Sequence, residues 1–151
     1  MKTSSIKRVE LLLRLRHQEE QQARQVFADA KAKVQECISK RDELSGSFLE
    51  HNRHVRAAIV QGSLQAAAMA RYRQAVAQLR VGIARAEQTL EAAWGEMEAC
   101  RLELLSAMKQ RKAMEMLHQR LAQQQTMAAA RQETKESDEQ FAAAGAAEAW
   151  Q

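Results

Sequence analysis

Apolar residues recur along most of the chain at alternating spacings of four and three. In the second half the series runs Met69, Tyr72, Val76, Leu79, Ile83, Ala86, Leu90, Ala93, Met97, Cys100, Leu104, Ala107, Arg111, Met114, His118, Leu121. Only Arg111 and His118 interrupt it. A repeat of this period turns one face of an α-helix toward one partner helix and winds the pair into a left-handed supercoil. The first half carries a weaker series: Val9, Leu13, Arg16, Glu20, Ala23, Phe27, Ala30, Val34, Cys37, Arg41, Leu44, Phe48. Arg16, Glu20 and Arg41 are charged, so this helix is the less stable of the two alone. The pattern predicts an all-α fold, two long helices forming an antiparallel coiled-coil hairpin.

Two soft points could hold the reversal, Ser45-Gly46-Ser47 and Gln61-Gly62-Ser63. In each, a glycine can leave one helix and a serine can cap the next. The second is preferred, because Val55 and Ala58 continue the first register past Gly46. The expected layout is helix 1 over about 5–60, a turn at about 61–63 and helix 2 over about 64–140. Residues 1–144 then form a single antiparallel coiled coil, and the alanine-rich 145–151 is expected to fray. Such a turn places Phe27 near Met97, Val34 near Leu90 and Leu44 near Leu79. Met1 falls opposite roughly Gln123, so the residues beyond have no partner within the hairpin.

Composition agrees with a thin helical rod. The 151 residues include no proline and five glycines, and aromatics make up 4%. Alanine, glutamine, glutamate, leucine and arginine dominate, all of which tolerate a helix. The formal charge is +4, with both signs interleaved. This reads as a solvated helical surface or as an electrostatic guide toward an acidic partner. No basic block or nucleic-acid motif is present, so nucleic acid is not an expected partner. The leucine run within Met1 to Leu15 is broken or flanked by Lys7, Arg8, Glu10, Arg14 and Arg16, unlike a signal peptide. No apolar stretch approaches the roughly 18 residues of a membrane span, so direct membrane insertion is not expected. With two cysteines, the cytoplasm is the expected compartment.

Little in the chain suggests chemistry. His51 and His54 sit three apart, but two imidazoles without a further ligand rarely hold a metal. Cys37 and Cys100 fall on seam positions, some fourteen residues out of register in this hairpin, too far for a disulfide. Arg111 and His118 read either as polar register-setting positions or as partner contacts. Met108, Met114, Met116 and Met127 could form an adaptable binding surface, although Met114 is also seam. Trp94 flanks the seam beside Ala93. No phosphate-binding glycine loop, nucleophile–base pair or carboxylate dyad is apparent. The expectation is a non-enzymatic protein with no catalytic residues, no cofactor and no metal.

Several segments carry a resemblance to a known family. Gln61-Gly62-Ser63, then Arg71-Tyr72-Arg73-Gln74 with Leu79 and Ile83, resembles the turn and second-helix start of FliJ, the flagellar export protein. Arg111-Lys112-Ala113 through Leu117, Arg120 and Leu121, with Arg131 to Asp138-Glu139 and Phe141, is similar to that family's C-terminal region. Lys7-Arg8-Val9 with Leu11 to Leu15 looks equally like the SctO (YscO) injectisome counterparts. The resemblance covers about residues 6–144.

The resemblance implies a stalk similar to the γ subunit of rotary ATPases. The end carrying the termini would insert into a hexameric export ATPase and promote its assembly. The turn end would be directed at an export-gate membrane protein of the FlhA/SctV type. Export chaperones are further implied partners, and the implied location is the cytoplasmic side of the inner-membrane export apparatus. Basic residues near the termini are the expected ring contacts: Lys7, Arg8, Arg14, Arg16, Lys109, Arg111, Lys112 and Arg120. The family's gate-facing surface maps to Tyr72, Ala75, Leu79, Gly82 and Ala86. Leu79 matches the family, whereas Ala75 and Ala86 stand where flagellar members can carry phenylalanine and histidine, which favours an injectisome member. The competing readings are a generic coiled-coil scaffold or tether and a helical binding protein, neither with an ATPase partner.

Overall fold

The computed structural model describes residues 2–62 and 65–150, apart from the Lys2 side chain. The predicted Ser63 cap, a helix start at Leu64 and the placement of Met1 opposite Gln123 lie outside the described residues. Two helices account for nearly all of the rest: α1 (Lys2–Val60) and α2 (Ala66–Ala149). Helix α1 runs unbroken through Ser45-Gly46-Ser47.

The way α1 stops is local chemistry. The Gln61 amide donates to the Ala57 carbonyl and the Gly62 amide to the Ile59 carbonyl, both at 3.1 Å. Gly62 then adopts φ +67°, the left-handed region that an L side chain resists and glycine accepts. Gln65 stands at the N-cap of α2, its carbonyl accepting from the Met69 amide at 3.0 Å. Gln65 itself lies outside both helices. Leu44 shares a groove with the Leu79 expected near it, and its Cδ1 lies 3.8 Å from where a Cβ at Gly82 would stand.

Every seam position named above is buried or half-buried, from Val9 to Phe48 on α1 and from Met69 to Leu121 on α2. The charged positions Arg16, Glu20, Arg41, Arg111 and His118 are included. The 4,3 period thus orients the helices even where the side chain is polar.

Residues 22–105 form one compact unit, containing the turn. Its core is Val34, Cys37, Leu90 and Ala93, with Ile38 and Met97 packed against it. Small residues at 37 and 93 let the helices approach closely. Cys37 and Cys100 are both free thiols. Toward the turn, Tyr72 packs on His51 with ring centroids 5.0 Å apart. Its hydroxyl donates to the His51 carbonyl. This bond joins a residue of α2 to the backbone of α1, where the apolar seam is thin.

Residues 1–21 and 106–151 form a second compact unit, the terminal one. Val9 is its buried apolar residue, and Glu20, at 2% exposure, is its most buried side chain among those described. Helix α2 continues to Ala149, past the end expected near 140 and through part of the stretch expected to fray. Alanine, the strongest helix former, supplies much of this segment. Every residue from 129 to 150 is exposed, with Phe141 at 84% and Trp150 at 92%.

Candidate partner interface

The eight basic residues singled out for ring contact all fall in the terminal unit. They do not behave alike. Arg111 pairs with the buried Glu20 and with Glu115, whose Oε1 lies 2.8 Å from Arg111 Nη1. Its side chain is only 16% exposed. The bond to Glu115, reinforced by Glu20, raises the guanidinium pKa further above its already high value. Arg16 Nη1 donates to Glu19 at 2.9 Å and to Gln110 at 3.0 Å. Arg16 and Arg111 are therefore engaged within the hairpin. Lys7, Arg8, Arg14, Lys109, Lys112 and Arg120 are exposed. These six make no ion pair among the described residues.

The pairing of Glu20 with Arg111 was the feature that sequence reading missed. Both residues were visible as breaks in their own series, and their opposite charges were the available signal. A carboxylate taken this far from water needs a cation and hydrogen bonds to be tolerated. Arg111 supplies both. Around them, His17 Nε2 stands 3.7 Å from Glu115 and His118 Nε2 3.5 Å from Glu10, each linking α1 to α2. The terminal unit is thus joined by polar bridges where a coiled coil ordinarily uses aliphatic packing.

The residues mapped to gate contact, Tyr72, Ala75, Leu79, Gly82 and Ala86, all lie in the turn unit. All five are half-buried. Tyr72 is engaged with His51, and Gly82 faces Leu44. Ala75 and Leu79 line a shallow groove with Leu44, Glu50, His51 and His54. The groove leaves part of this face open to a partner. Among the described residues no group of three or more His, Cys, Asp or Glu is placed to hold a metal. Met116 and Met127 are more than half exposed, Met114 is half-buried, and Trp94 is 47% exposed. Among the described residues no helix is long and apolar enough to cross a membrane.

A family model described as the flagellar FliJ protein matches residues 5–149. No curated protein and no solved structure matches the chain.

Proposed function

Since the chain belongs to the flagellar FliJ protein family, a non-catalytic family of the flagellar export apparatus, we propose that it is the stalk of a type III protein export ATPase. In this reading the terminal unit enters the pore of a hexameric ATPase and the turn unit addresses an export-gate membrane protein of the FlhA/SctV type. Export chaperones are further candidate partners. The protein works at the cytoplasmic face of the inner-membrane export apparatus.

One observation carries the assignment of the terminal unit. Residues 129–149 continue α2 as a helix with every residue exposed. Most helical stability in proteins comes from packing one face against a partner, and no residue of this stretch is buried. The same unit carries six exposed cations, Lys7, Arg8, Arg14, Lys109, Lys112 and Arg120. Acidic loops around a pore would meet these charges and speed encounter. Arg16 and Arg111 contribute by holding the hairpin in register.

Coupling follows from symmetry. A two-helix stalk cannot touch six identical subunits in the same way. It binds their alternative conformations unequally, and that difference in affinity is what shifts their populations. The mapped gate residues, Ala75 and Leu79 above all, offer their half-open groove to the second partner.

The test is stimulation of the export ATPase of the same organism. A variant with Lys7, Arg8, Lys112 and Arg120 changed to glutamate should keep its helical signal and lose stimulation. Stimulation equal to wild type by the folded variant contradicts the assignment, and leaves a scaffold without an ATPase partner as the better account.

A further inference from the structure

The positive charge of this chain is concentrated around its turn. Between His51 and Ala86 the sequence holds six arginines, Arg53, Arg56, Arg71, Arg73, Arg80 and Arg85, and no aspartate, glutamate or lysine. The whole chain has 23 basic and 19 acidic residues, so without these six the remainder carries more acids than bases. All six side chains are exposed. Arg80 lies over the Phe48 ring, 5.7 Å from its centroid. Arg53, Arg56, Arg71 and Arg73 make no ion pair among the described residues.

These four surround the turn. Arg53 is seven residues before Val60 and Arg73 seven after Ala66, each about 10 Å of helix from its end of the connection. That is little more than the roughly 8 Å Debye length at physiological salt, a gap that a long side chain can span. Arg71 and Arg73 flank Tyr72, which faces α1, so they leave α2 on the two sides of the seam. The last turn of α1 exposes Ile59 at 51% and Val60 at 86%.

We propose that the turn, through Arg53, Arg56, Arg71 and Arg73 with Ile59 and Val60 in the last turn of α1, docks on the headgroups of an anionic lipid bilayer. Charge complementarity selects an anionic partner. The arrangement selects a flat one, because arginines on both flanks of the seam gather on no single concave face. Guanidinium groups bind phosphate in two-point fashion, and shallow burial of two branched aliphatic side chains adds a salt-independent part. The contact is peripheral and leaves the hairpin folded. It does not depend on the ATPase reading, since its test contains no other protein.

Flotation of the full chain with vesicles provides that test. Binding to phosphatidylcholine vesicles containing roughly 30% phosphatidylglycerol, and not to phosphatidylcholine alone, is expected, falling steeply with salt. Removing an arginine that meets the headgroups should weaken partitioning about five-fold. The variant R53Q/R56Q/R71Q/R73Q should therefore fall by at least about a hundred-fold with unchanged circular dichroism. A variant of equal charge change elsewhere, K31Q/K40Q/R131Q/K135Q, should keep most of the binding. Equal binding to both vesicle types, equal loss in both variants, or retention by the turn variant each overturns the proposal. So does capture by immobilised polyglutamate without vesicle binding, which assigns the surface to an acidic protein.

Discussion

The turn unit and the terminal unit are built from the same two helices on the same 4,3 period, yet different forces close them. In the turn unit the seam is apolar, with Val34, Cys37, Leu90 and Ala93 at its centre. In the terminal unit the most buried described side chain is a glutamate, held by an arginine from the other helix. Apolar burial is non-directional and tolerates small shifts of register. A buried ion pair tolerates few, because a slip leaves its members desolvated and unpaired. The turn unit therefore supplies stability, and the terminal unit supplies alignment, presenting its free cations in a fixed geometry.

The largest effect should come from the apolar seam. Leu90→Ala is expected to cost about 2–4 kcal/mol in chemical denaturation, since Leu90 is nearly buried and its neighbours cannot fully collapse onto the gap. Leu121, half-buried in the terminal unit, should cost clearly less when changed to alanine. Equal costs would erase the contrast between the units.

The next effect sharpens the contrast from the polar side. Glu20→Ala removes the partner of Arg111 on the other helix, leaving it Glu115 on its own, and should lower the melting temperature. The double variant Glu20→Leu with Arg111→Met should recover wild-type stability or exceed it, as replaced buried ion pairs often do. The account expects any penalty of the double variant in alignment, read as altered distances between spin labels at Leu13 and Met114. Unchanged distances with full stability would show that the pair sets nothing.

The smallest effect concerns Glu98. A hydrogen bond from Arg101 holds its carboxyl below the usual glutamate pKa. A depressed folded-state pKa stabilises above the unfolded value and is lost as pH falls through the folded one. Glu98→Gln should therefore melt slightly below wild type at neutral pH and together with it in acid. Both groups are about half exposed, so solvent screening keeps the difference small. A difference that grows in acid contradicts this pairing.

How far these features could be read from the sequence depends on which interaction carries them. The seam was legible because periodicity alone sets which residues face inward, including Arg41 and His118. The site of reversal was legible at Gly62, where a positive φ is required. Apolar partners across the helices were legible too, since Val34 and Leu90 share the core and Leu44 and Leu79 line one groove. The helical state of residues 145–149 was underestimated by weighing Gly145 and the end of the chain over about two and a half alanine-rich turns from Phe141 to Ala149. Among the expected ring contacts, exposure was legible for Lys7, Arg8, Arg14, Lys109, Lys112 and Arg120. The inward engagement of Arg16 and Arg111 required knowing what stood opposite them.

Photo-crosslinking tests the division of labour most directly. A photoreactive residue would be placed at Lys112 or at Phe141 in the terminal unit, or at Gln78 in the turn unit, and each protein irradiated with the hexameric export ATPase. The account predicts adducts to the ATPase from Lys112 and Phe141 and none from Gln78. Adducts from Gln78 alone, or from no position under conditions where the ATPase is stimulated, would contradict it.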